Sequence, residues 1–130
     1  ERKSLWDRSA GGRKSRGRRQ VRDEIAECVA AFANADGGIL VLGVEDDGVV
    51  SGHNYPEPAL TEMLDAPCKR LDPALARGER RIVGDQEILV FDVAATEGPV
   101  MVRGNGYPRR IDDNVVRERY EVIKAIKAQA

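Results

Sequence analysis

Apolar side chains at Val21, Ile25, Cys28, Val29 and Phe32 recur every three or four positions. That spacing lines them up on one stripe and predicts a helix from about residue 20 to 35. The pattern then breaks at Asn34, Gly37 and Gly38, residues that tolerate positive φ where a chain leaves a helix. Residues 39–44 are apolar almost throughout and read as a strand covered on both faces, closed by Gly43. Asp46-Asp47-Gly48 is a hairpin turn into residues 49–52, with Gly48 supplying the tight corner.

Further along, Leu60, Met63, Leu64, Cys68 and Leu71 share a helical face over residues 58–71, with Pro67 kinking that helix or ending it early. Residues 72–78 read as a loop. Residues 80–83 and 87–93 read as strands joined at Gly84-Asp85, and residues 99–102 and 107–111 flank a second hairpin signal, Gly104-Asn105-Gly106. Residues 117–128 close the chain as a helix with Tyr120, Ile123 and Ile126 on one side. At the front, residues 4–9 could form a short strand, and residues 11–19 are too rich in glycine and cations to pack, which predicts a mobile loop. Clustered strands with a few helices predict an α+β fold: one mixed, mainly antiparallel sheet with about three helices, rather than a doubly wound sheet. The whole of residues 1–130 is expected to be one domain, with 1–19 as a basic strand and arm, taken from a longer protein.

Charge changes this picture. The net charge is −1. Residues 1–22 nevertheless carry nine Lys or Arg against Glu1 and Asp7, a net of +7, while the other 108 residues carry twelve against twenty, a net of −8. A basic arm on an acidic body points to a polyanionic partner. No apolar run is long enough to span a membrane and no secretory leader is visible, so no membrane partner is expected. Cys28, Cys68 and the single His53 have no metal-ligand spacing, and the cysteines read as reduced thiols of a cytoplasmic protein.

The paired glycines raise the possibility of a phosphate loop. In such loops the glycines precede a helix, so that its N-terminal N–H groups face the anion. Here they follow one, and no Gly-Lys-Ser/Thr comes after them, so tight-corner chemistry is the better reading. The anion-binding candidates are the cations. Arg13, Lys14, Arg16, Arg18, Arg19 and Arg22 fall within ten positions just before and inside the first helix, and Arg103, Arg109 and Arg110 flank a Gly-rich hairpin. Such an array suits contact with phosphates better than reading of bases. No cofactor is needed for that task. The alternative for each group is an ordinary solvated surface. Trp6 could stack on a base, though a core or interface anchor is the commoner use of a scarce aromatic. His53 reads as loop surface.

The stretch from Ile25 to Gly52, "IAECVAAFANADGGILVLGVEDDGVVSG", resembles the central motif of the Schlafen AlbA-type domain, formerly described as a divergent AAA domain, and "GPVMVRGNGYPRRID" resembles its late segment. The resemblance spans nearly the whole chain. It implies a mixed α/β domain and a nucleic-acid-binding role, with DNA as the partner, often inside bacterial transcriptional regulators. Some Schlafen relatives are similar to metal-dependent RNA nucleases, whose acids would match Glu1, then Trp6 or Asp7, then Glu45 or Asp46 here. The second acid falls on Trp6, and a one-residue shift to Asp7 turns the side chain to the other face of a strand. Turn chemistry is the simpler use of Asp46 and Asp47. A divalent-metal endoribonuclease using Glu1, Asp7 and Asp46 is thus the first alternative. A homodimerising interaction module that touches no nucleic acid is the second.

Overall fold

The computed structural model describes residues 1–7 and 14–129. Two short strands, β1 (Arg2–Lys3) and β2 (Trp6–Asp7), precede β3 (Lys14–Ser15) and the long helix α1 (Arg18–Ala33). Next come β4 (Gly38–Leu42), α2 (Glu57–Leu64), α3 (Ala66–Lys69) and β5 (Leu71–Asp72). Then follow β6 (Glu79–Val83), β7 (Gln86–Val93), β8 (Met101–Val102), β9 (Tyr107–Ile111), β10 (Asn114–Glu118) and α4 (Tyr120–Ala128). The main sheet has the order β1-β4-β7-β6, with β1 parallel to β4 and the other pairs antiparallel. Three two-stranded ribbons surround it: β2 with β3, β5 with β8, and β9 with β10. This is the α+β class the strand pattern predicts, with four helices, one of them a single turn.

The helical stripe is the core. Val21, Ile25, Val29 and Phe32 are buried and join one cluster with Leu40, Leu42, Leu89 and Phe91 of the sheet and Leu60 and Met63 of α2. Leu40 lies opposite Phe91 and Leu42 opposite Leu89, so one sheet face supplies both pairs. The expectation that residues 39–44 are covered on both faces is corrected: Ile39 is 49% exposed. The neighbouring β7 runs antiparallel, and such a sheet needs packing on only one face.

Other expectations are corrected as well. Asn34 caps α1 in the right-handed helical region, and the positive φ falls on Gly37, Gly43 and Gly48. Gly38 is required for space: a Cβ there would lie 2.4 Å from the Phe32 ring. The helix expected over 58–71 breaks at Asp65, because Pro67 has no N–H to continue the ladder and instead sits in the first turn of α3. The hairpin expected around 104–106 is reduced to a single bridge, Val102 to Gly106. Instead β8 pairs with β5, and β9 turns at Asp112, φ +54°, into β10, a strand the helical reading of residues 117–128 had missed. Of the loop expected over 11–19, residues 11–13 lie outside the described residues, and the rest is not one loop: Lys14 and Ser15 pair with β2, and Arg18 and Arg19 open α1. Among the described residues no helix is long and apolar enough to cross a membrane.

Candidate nucleic-acid interface

The β2–β3 ribbon delivers the basic segment to the front of α1. Trp6 lies opposite Ser15 and Asp7 opposite Lys14. The indole N–H of Trp6 donates to the Ser51 carbonyl at 3.1 Å, so the aromatic anchors the ribbon to the loop after β4. Arg16 is an internal strut. Its guanidinium donates to the Ser4 carbonyl at 3.0 Å and pairs with Glu24, and its carbonyl accepts from the Tyr55 hydroxyl at 2.7 Å. Burial pushes the Tyr55 hydroxyl above its ordinary pKa, so it remains a donor there.

Helix α1 begins with cations and without a cap. Its N-cap is Gly17, no side chain caps it, and its first turn holds no carboxylate. Arg18 and Arg19 are exposed in that turn, beside exposed Lys14. Among the described residues, the side chains of Lys14, Arg19 and Arg103 make no ion pair. Arg18 reaches Glu62 of α2 at 3.5 Å, and Arg22 reaches the same carboxylate at 2.9 Å and Asp23 at 3.0 Å. Arg13 lies outside the described residues.

The eight candidate cations among the described residues are not brought to one surface. Arg103 sits in the turn after β8, where its N–H donates to the Arg70 carbonyl at 2.9 Å, and Arg70 in turn reaches Asp23 at 3.3 Å. It therefore belongs with the N-terminal half of α1. Arg109 and Arg110 lie with Asn34, Asp36 and Lys127 around a hollow of about 440 Å³ at the other end of that helix. A helix of 16 residues is about 24 Å long. Both arginines are also committed: Arg109 to Glu118 at 3.3 Å, Arg110 to Glu1 at 2.7 Å and over the Phe32 ring at 5.1 Å. Sequence separation alone hid this division, since β9 runs back along α1 and carries its residues away from Arg103. Lys69 and Arg70, which periodicity placed on a core helix, are the functional candidates that sequence reasoning missed. Their signal was the broken helix at Pro67, which exposes the following turn.

The acidic candidates are divided as well. Glu1, Asp46 and Asp113 share a shallow hollow of about 390 Å³ with Arg2 and Arg110. Burial would raise the Glu1 carboxyl, but the Arg110 hydrogen bond and the charges of Lys3 and Arg110 outweigh it and hold the group below the usual carboxylate range. Asp7 is elsewhere, on the β2–β3 ribbon. Among the described residues no three His, Cys, Asp or Glu side chains are grouped so that they could hold a metal ion. The donor set does not fit the two-metal arrangement that nuclease chemistry uses.

No curated protein matches this chain. Several solved structures resemble it, two of them as follows. The DIP2311 protein from Corynebacterium diphtheriae aligns over 91% of this chain and 24% of its own, with a TM-score of 0.69 and 22% identity. The chain thus spans about a quarter of that protein's length, and the likeness is one of fold. The N-terminal domain of a protein related to the ATP-dependent DNA helicase RecG, from Nitrosomonas europaea, aligns over 88% of this chain and 79% of its own, with a TM-score of 0.47 and 24% identity. The Schlafen AlbA_2 family pattern matches residues 3–118, from β1 to the last residue of β10, and the chain belongs to that family of nucleic-acid-related domains.

Proposed function

We propose that this domain binds nucleic acid, DNA by preference, through the phosphate backbone, as a cytoplasmic module of a larger bacterial transcriptional regulator and without a cofactor. The observation that carries this reading is the start of α1, an uncapped helix end that holds Arg18 and Arg19 and no carboxylate. Cations there oppose the positive end of the helix dipole, and free N–H groups go unanswered. A phosphate oxygen relieves both at once: it accepts from the first-turn N–H groups and neutralises the arginines. Lys14 on β3 extends the same charge toward the ribbon. The Arg18–Glu62 pair does not oppose this role, because an exposed ion pair contributes about 0–1 kcal/mol and gives way to a better acceptor. Arg16 and Arg22 serve by holding the surface in place. Membership of the AlbA_2 family supports the same class of partner.

The test is a binding titration of the whole chain with duplex DNA, single-stranded DNA and duplex RNA at about 50 and about 200 mM salt, with and without Mg²⁺. Duplex DNA is expected to bind, and three phosphate contacts would give a slope of about −2.7 in log K against log salt. Lys14→Glu with Arg19→Glu should weaken binding at least about tenfold while leaving the fold intact, since both side chains are solvent-facing. Wild-type binding by that pair overturns the surface. Failure of the wild type to bind any of the three polyanions overturns the function, and tighter binding to RNA moves the partner from DNA to RNA.

A further inference from the structure

A line of alternating charge leaves the start of α1 and crosses to α3. Arg18 Nε stands 3.5 Å from Glu62, and Arg22 stands 2.9 Å from the other oxygen of that carboxylate. Arg22 also reaches Asp23 at 3.0 Å, and Arg70 reaches the same Asp23 oxygen at 3.3 Å. Three guanidinium groups are thus held in a row by two carboxylates. A groove of about 280 Å³ runs beside them between α1 and the α2–α3 pair, lined by Arg22, Glu62, Asp65, Lys69 and Arg70. At its far end the row does not stop. Lys69 is exposed in the last turn of α3, and Arg103 is exposed where its backbone joins that of Arg70. Arg70 Nε is buried with no hydrogen-bond partner among the described residues, so that guanidinium is not fully satisfied by the protein. Each Arg offers five donors in a planar fork. Arg18 and Arg70 each meet one carboxylate and keep donors free, whereas all three nitrogens of Arg22 are taken by Glu62 and Asp23, which makes it the strut between them.

We infer that the nucleic-acid track does not end at the helix start but continues along this row to Lys69, Arg70 and Arg103, which form a second phosphate-contact cluster. This rests on the nucleic-acid reading above. Glu62 and Asp23 act as spacers. They separate the three guanidinium charges and lower the net charge of the surface, so that binding is readily reversed. Phosphate oxygens take the free donors of Arg18 and Arg70, while Arg22 holds the row together. The partner this fits is a phosphodiester backbone several nucleotides long, because isolated anions cannot engage both clusters together.

Lys69→Glu, Arg103→Glu and the double variant are read against Lys124→Glu, a charge-matched change on α4 that lies outside the row. The double variant should weaken duplex binding at least about tenfold and make the log K against log salt slope shallower by about 1.8, the loss of two contacts. Lys124→Glu should leave the slope unchanged. Glu62→Gln should strengthen binding by about two- to fivefold, the size of an exposed ion pair released to the ligand. If the wild type binds and the Lys14/Arg19 variant fails, yet the Lys69/Arg103 variant matches the wild type in affinity and slope, the second cluster is wrong and the function stands. If Lys124→Glu costs as much as Lys69→Glu, the surface responds to overall charge and the track is wrong. Unchanged or weaker binding by Glu62→Gln removes the spacer role. Absence of any wild-type binding overturns the nucleic-acid reading itself.

Discussion

Asn34 and Val100 hold each other twice. The Asn34 Oδ1 accepts from the Val100 N–H at 2.7 Å, and its Nδ2 donates to the Val100 carbonyl at 2.8 Å. The same Nδ2 donates to the Pro108 carbonyl at 2.8 Å. A single buried amide thus fixes the end of α1 to the residue before β8 and to β9 itself. Since the proposed phosphate-binding end lies at the other terminus of α1, this clamp sets where that end points.

Removing the clamp should be costly. Asn34→Ala leaves three buried backbone groups without partners, each worth about 1–3 kcal/mol, and some are recovered by relaxation or water. The expected loss is about 3 kcal/mol, read as a drop in the urea midpoint. Asn34→Asp should not rescue stability at neutral pH, because a carboxylate accepts from Val100 but cannot donate to either carbonyl. Near-wild-type stability of either variant would show that the clamp is dispensable.

Glu87 gives a pH signature. Burial would raise its carboxyl, but hydrogen bonds from Arg80 and His53 outweigh that and hold it below the ordinary carboxylate range. His53 accepts from the Tyr55 N–H at its Nδ1, so its Nε2 carries the proton donated to Glu87 at 2.9 Å. A depressed folded-state pKa stabilises the fold above the unfolded carboxylate value, about 4.3, and the benefit is lost as pH falls through the lower folded value. Glu87→Gln should therefore be less stable than wild type at pH 7, by about 1 kcal/mol, and the two denaturation curves should converge on acidification. A gap that does not narrow at all as the pH falls below the ordinary carboxylate range would place the effect in packing.

The two thiols should differ in reactivity. Burial pushes the Cys28 thiol up to about 11, in the helix face that packs on the sheet. Only a thiolate is nucleophilic, and Cys68 is partly exposed. Alkylation at pH 8 followed by mass spectrometry should label Cys68 first, and Cys28 only in denaturant. Equal labelling of both in the native protein would mean that α1 opens readily from the core.

The elements legible in the sequence are those whose periodicity has a single interpretation. The stripe of Val21, Ile25, Cys28, Val29 and Phe32 defined α1 to within two residues at each end, and the Gly84-Asp85 corner located β6 and β7. The family match from β1 through β10 agrees with the motif at residues 25–52. What was illegible depended on partners distant in sequence. Residues 114–118 are a strand because Val115 lies opposite Arg110 and Arg117 opposite Pro108, whereas the apolar side of Tyr120, Ile123 and Ile126 extended the helix back over residues 117 and 118. The cation cluster at 13–22 looked uniform. Only the fold shows that Arg16 is tied to Ser4 and Glu24 while Arg19 faces solvent, because ion pairing across elements leaves no local pattern.

Gly17 couples the stability of α1 to its proposed ligand. Its backbone is extended, as an N-cap requires, and a Cβ at that position would meet nothing within 4 Å. Gly17→Asp should therefore fit and supply the missing cap, accepting from first-turn N–H groups and facing the positive end of the helix. The expected gain is a few tenths of a kcal/mol to about 1 kcal/mol, visible as a small rise in Tm. The same carboxylate would occupy the N–H groups assigned to phosphate and repel it. Affinity for duplex DNA should fall by about tenfold as stability rises, whereas Gly17→Ser, a neutral cap, should stabilise with a smaller loss. A protein made more stable by Gly17→Asp that binds DNA as the wild type does would show that the ligand never touches the start of α1. The phosphate contacts would then have to lie elsewhere on the chain.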